Sequence, residues 1–86
     1  MTETRVHPSA LRHGLSADEI IGLWSVGLED TWLDDLDPTR LLRISLDEAG
    51  RPWELVGLVF DGGARHLVIH AMPLRKGTIE LIRRAR

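Results

Sequence analysis

LLRISLDEAGRPWELVGLVFDGGARHLVIHAM, residues 41–72, reads as three consecutive β-strands joined by two tight turns. The strands are Leu41–Asp47, Trp53–Phe60 and His66–Met72. Each is rich in Leu, Ile and Val, and each is bounded by turn residues, Glu48–Pro52 and then Asp61–Arg65. Successive strand residues point to opposite faces, so the register of each hairpin decides which side chains meet. With Glu48–Arg51 as a four-residue loop, Asp47 lies opposite Pro52, Ser45 opposite Glu54 and Arg43 opposite Val56. One face is then Leu42, Ile44, Leu46, Trp53, Leu55, Gly57 and Val59. The other carries Arg43, Ser45, Glu54, Val56 and Leu58.

The second hairpin has two parities. An even loop puts His66 and His70 on the apolar face. A five-residue loop, Asp61–Arg65, puts Leu67, Ile69 and Ala71 there instead. Burying two imidazoles without partners is costly, which favours the five-residue loop. Arg43, Ser45, Glu54 and His70 then share one side of one sheet.

Composition sets the frame. A chain of 86 residues reads as one small domain over residues 1–86, burying about 60–65% of its unfolded surface. It has no cysteine, which excludes disulfides and thiolate metal sites. No apolar run approaches the roughly 18 residues of a membrane span, and MTETRVHPS lacks the basic start and apolar core of a signal peptide. The expectation is a cytoplasmic protein with no membrane partner. Net charge is −2, unevenly spread: −5 over residues 1–40 and +3 over residues 41–86. The asymmetry reads either as a basic working surface beside an acidic shoulder or as two merely solvated halves. A pI of ≈ 6.0 argues against indiscriminate nucleic-acid binding.

Residues 1–6 read as loose. Pro8 and Ser9 open a short helical turn to His13, which Gly14 closes. Ser16 and Glu19 form a capping box for a second helix ending near Ser25, with Ile20, Ile21, Leu23 and Trp24 as its apolar side. Residues 26–33 fit an irregular strand or a loop with a helical turn. Asp34-Asp35-Leu36-Asp37-Pro38 lacks the ligand spacing of a calcium loop and reads as a solvated turn. After Pro73, Thr78 is the candidate N-cap of a short basic C-terminal helix.

His70 is the residue with most chemistry to offer, because an imidazole can act as a general acid or base. Glu54 can orient it or serve as the base itself, and Arg43 and Arg75 can hold a phosphate, with Lys76 beside them. These are the parts for cleaving RNA without a metal or cofactor. A base takes the 2′-hydroxyl proton, a cation steadies the phosphorane and an acid protonates the leaving oxygen. Each residue also has a plainer reading. Arg43 and Glu54 form a cross-strand ion pair, Arg75 and Lys76 sit in a solvated loop, His13 caps a helix end, and His66 faces solvent. Trp24, Trp32 and Trp53 read as core or interface residues, and no stacking platform for single strands is apparent.

Arg12-His13-Gly14-Leu15-Ser16 followed by Asp18-Glu19, and the hairpin Leu42–Arg51, resemble the BrnT toxins of bacterial toxin–antitoxin pairs, a branch of the RelE-like ribonucleases. Those toxins carry Lys-His-Gly-Val-Ser before acidic helix residues. Their last strand ends in an Ile-Ser-Ala-Arg-like run, where this chain has Ile69-His70-Ala71-Met72 and a displaced Arg75. The resemblance implies a RelE-like α+β fold: short N-terminal helices on an antiparallel sheet of three to four strands, with a short C-terminal helix. It implies a growth-inhibiting RNA endoribonuclease, held inactive by a cognate antitoxin, a small DNA-binding protein often of ribbon-helix-helix type. Two rival readings are a non-catalytic RelE-like module that binds an antitoxin or regulator, and a dimeric structural protein burying Trp32 and Trp53.

Overall fold

A computed structural model describes residues 2–85. The chain is α+β, and its sheet is five-stranded and mixed. In chain order the elements are β1 (Glu3–Val6), a 3₁₀ helix (Pro8–His13), α1 (Ala17–Ser25), β2 (Glu29–Trp32), β3 (Thr39–Leu46), β4 (Pro52–Phe60), a 3₁₀ turn (Asp61–Gly63), β5 (Arg65–Pro73) and α2 (Lys76–Arg84). The strand order is β1-β5-β4-β3-β2. β1 runs parallel to β5, and every other pair is antiparallel. Among the described residues no helix is long and apolar enough to cross a membrane.

The sheet is larger than the expected three to four strands at both edges. Residues 3–6, expected to be loose, form β1 on β5, with Arg5 opposite Leu67 and Val6 opposite Val68. Glu29–Trp32 forms the opposite edge, pairing Asp30 with Arg43. The acidic run after it is organised by Asp34. The Asp34 carboxylate accepts from the backbone N–H of Leu36 and the Arg40 guanidinium, at 3.1 and 2.7 Å. The capping box at Ser16 is present, with reciprocal bonds to Glu19 of 3.0 and 3.1 Å. Gly14 ends the 3₁₀ helix at φ 86, where only a residue without a Cβ is unstrained.

The first hairpin pairs one residue out of the expected register. Ser45 lies opposite Trp53, Ile44 opposite Glu54 and Arg43 opposite Leu55. The reason is Asp47. Its carboxylate accepts from the backbone N–H groups of Ala49 and Arg51, both at 2.9 Å, and from the Trp53 indole at 3.0 Å. The carboxylate bonds support a turn in which the Gly50 N–H donates to the Asp47 carbonyl at 2.9 Å with Gly50 at φ 78, so the loop takes in Asp47 and every β3 side chain changes face relative to β4. Arg43 and Ser45 therefore join Trp53, Leu55 and Gly57, and Leu42 and Ile44 join Glu54 and Val56.

Two polar residues on the helix-covered face would be costly if unpaired. Both are paired to the last turn of α1, whose carbonyls lack partners within the helix. Ser45 Oγ donates to the Leu23 carbonyl at 2.6 Å, and Arg43 Nη1 to the Trp24 carbonyl at 2.8 Å. The Arg43 guanidinium also lies 4.3 Å from the Trp24 ring centroid and forks onto Asp30 at 2.7 and 2.9 Å.

The second hairpin uses both parities. Its loop is Asp61–Ala64, with left-handed φ values at Asp61, Gly62 and Gly63, so Phe60 pairs with Arg65 and Val59 with His66. A β-bulge then inserts Ile69. Gly57 pairs with Val68, but Val56 pairs with His70. His66, Val68 and Ala71 thus share the α1 face, and His70 and Met72 share the other with Glu54. The core gathers Ala10, Ile20, Leu23, Trp24, Leu41, Trp53, Leu55, Val68 and Ala71. Gly57 has a steric role here: a Cβ would lie 2.6 Å from Cη2 of Trp24, so the indole lies against bare backbone.

Candidate functional site

On the face away from α1, near the start of β4, Glu54 is only 2% exposed. A buried carboxylate needs donors, and Glu54 draws them from two elements. From the start of α2, Oε1 accepts from the Arg75 backbone N–H at 3.0 Å, Arg75 Nε at 3.2 Å and Thr78 Oγ1 at 2.6 Å. Oε2 accepts from Arg75 Nη2 at 2.8 Å and from His70 Nε2, in β5, at 3.0 Å. Burial pushes the Glu54 carboxyl upward, but the bonds from Arg75, Thr78 and His70 outweigh it and bring it down to about 2. The site therefore holds a fixed negative charge, and Glu54 in turn raises the Arg75 guanidinium.

An ionised carboxylate only accepts, so His70 Nε2 is the protonated nitrogen and donates to Glu54. In the neutral ring Nδ1 is left as the acceptor. His70 is 29% exposed and Arg75 58% exposed. Both face a groove of ≈ 560 Å³ whose apolar wall includes Leu33, Leu42, Val56, Ile69 and Leu81. His13, the last residue of the 3₁₀ helix, brings its ring edge-on to His70, with centroids 6.4 Å apart and planes at 68°.

Of the residues named from sequence, His70, Glu54 and Arg75 come together. Lys76 opens α2 and is exposed. Arg43 does not join them. The register of the first hairpin places it on the opposite face, where Asp30 and Trp24 hold it. Thr78 does not act as an N-cap; α2 starts at Lys76, and the Thr78 hydroxyl serves Glu54. His13, expected to cap a helix end, instead sets its ring against His70. No spacing signal brings His13 or Thr78 to this place, because both arrive from elements distant in sequence.

His66 is likewise not solvent-facing. It is half-buried, and its Nδ1 accepts from the Trp24 indole N–H at 3.0 Å. Burial and the nearby Arg43 charge lower its imidazole pKa, with Asp30 opposing them. Among the described residues no group of three His, Asp or Glu side chains could hold a metal ion. Comparison with protein-family models, curated proteins and solved structures finds no match to this chain.

Proposed function

We propose that this chain is the toxin of a bacterial toxin–antitoxin pair, built on a RelE-like fold and acting in the cytoplasm as a metal-independent RNA endoribonuclease. The observation that carries the reading is the contact of His70 Nε2 with the buried Glu54 carboxylate at 3.0 Å. It lies beside an arginine at the mouth of a groove. The carboxylate fixes the ring's tautomer and orientation and leaves Nδ1 free to exchange a proton, as an acid or base in proton transfer requires. Arg75 spends Nε and Nη2 on Glu54. Its remaining edge and the Lys76 ammonium are the phosphate contacts, and Arg43 drops out of the set. The apolar groove beside the dyad suits the cognate antitoxin, which would block RNA by covering it.

A second reading is favoured by the same ion pairs. With Arg43 held by Asp30 and Arg75 by Glu54, the chain is a RelE-like module that binds a regulator and cleaves nothing. The two readings separate in one experiment. The purified chain is incubated with bacterial RNA, with and without ribosomes, in excess chelator, beside His70→Ala. Cleavage by the wild type that is lost in His70→Ala supports the ribonuclease. Intact RNA in every reaction sinks it in favour of the binding module. On induced expression, the ribonuclease should arrest growth and His70→Ala should not.

A further inference from the structure

The geometry points to His13 as the second proton-transfer residue of this site, the acid that protonates the leaving 5′-oxygen, with His70 as the base. The assignment rests on the ribonuclease reading above. The two imidazoles meet edge-on with centroids 6.4 Å apart, so one group seated against both rings can come within hydrogen-bond distance of each. A phosphodiester seated across both rings would present its 2′-hydroxyl to one ring and its 5′-oxygen to the other.

The placement of His13 is built. The β5 bulge that turns His70 onto the Glu54 face leaves Ile69 without a register partner in β4. Ser9 Oγ donates to the Ile69 carbonyl at 2.6 Å. The His7 imidazole caps the same 3₁₀ helix by accepting from the Ser9 backbone N–H at 3.1 Å, and Ala10 is buried beneath it. The helix that ends in His13 is therefore fastened to the strand at the residue before His70.

The roles follow from the partners. His70 donates Nε2–H to Glu54, which leaves Nδ1 to accept the 2′-hydroxyl proton, and the carboxylate stabilises the imidazolium that forms. His13 is exposed and enters the step as the imidazolium. The 2′-oxygen forms a bond to phosphorus as the phosphorus–5′-oxygen bond breaks, and that oxygen takes its proton from His13. The products are a 2′,3′-cyclic phosphate and a 5′-hydroxyl. The two rings exchange protonation states, so the protons balance.

The test compares leaving groups. A linkage that the wild type cuts in bacterial RNA is identified and then synthesised in a short RNA twice, once normally and once with sulfur as the 5′-bridging atom. A thiolate leaves without an acid. His13→Ala should slow the oxygen linkage by about 10²–10⁴-fold and leave the sulfur linkage close to the wild-type rate, whereas His70→Ala should slow both. Cleavage of the sulfur linkage also reports that the variant is folded, and His13→Gln is run beside it as a less disruptive change. Unchanged cleavage of the oxygen linkage, or equal loss on both linkages in both variants, overturns the assignment of His13 and leaves the ribonuclease standing. A wild type that cuts no linkage overturns both.

Discussion

Replacing Glu54 by Gln removes one charge and almost no volume, and should be among the most damaging single changes in this chain. The carboxylate is 2% exposed and takes donors from Arg75, Thr78 and His70. An amide has one acceptor oxygen and brings two N–H groups into a ring of donors. Two independent estimates give the magnitude. Lowering the carboxyl from 4.5 to about 2 corresponds to about 3 kcal/mol of stability at pH 7. Removing one partner of a buried, hydrogen-bonded ion pair costs about 3–5 kcal/mol. For a domain of this size a loss of about 3 kcal/mol should lower Tm by roughly 12–24 °C. The sign with pH is fixed. A depressed carboxyl stabilises the fold above pH 4.5, and that stabilisation is lost as pH falls through about 2. The wild type should therefore exceed Glu54→Gln by about 3 kcal/mol at pH 7 and by less than half of that at pH 3. Urea unfolding followed by tryptophan fluorescence at both pH values reads the difference. A gap under about 1 kcal/mol at pH 7, or one that does not narrow at pH 3, would refute the assignment of this charge as the tie between α2 and the sheet.

Arg43→Ala should lower stability by about 1–2 kcal/mol, through loss of the Trp24 contact and the Asp30 fork. It should leave RNA cleavage by the folded protein unchanged, and a selective loss of cleavage would restore Arg43 to the site. Gly57→Ala should cost about 1–3 kcal/mol, because the new methyl meets the Trp24 ring; calorimetry measures it, and a neutral change would mean the indole does not lie there. His66 should make stability fall as pH drops below about 6.5, since burial holds its folded imidazole neutral while the unfolded one takes up a proton. That part of the pH dependence should vanish in His66→Gln, as denaturant titrations between pH 5 and 8 will show.

The candidate site was legible in part. His70, Glu54 and Arg75 could be named from sequence because residue chemistry is local and strand alternation put the first two on one face. Arg43 was assigned to that face through a register that Asp47 changes by capping the turn. The five-residue loop placed His70 correctly and His66 incorrectly, because the bulge at Ile69 gives β5 both parities. His66 could be covered because Trp24 supplies its partner. The N-terminal strand was missed because Glu3-Thr4-Arg5-Val6 gains its place by pairing with the β5 edge rather than by burying an apolar face.

What the sequence by itself determined is what short-range chemistry controls. The three central strands, the Ser16–Glu19 capping box, the glycine end at Gly14 and the α+β class all follow from propensity, periodicity and caps acting over a few residues. What only the tertiary structure decided is which faces those elements share. A one-residue slip exchanges every side chain between faces. The choice between registers was made by contacts from distant elements: Asp47 on Trp53, Ser45 and Arg43 on the carbonyls ending α1, and Ser9 on the bulge. The site belongs to that second category, since Glu54 becomes a buried, ionised partner for His70 only when the start of α2 packs onto it.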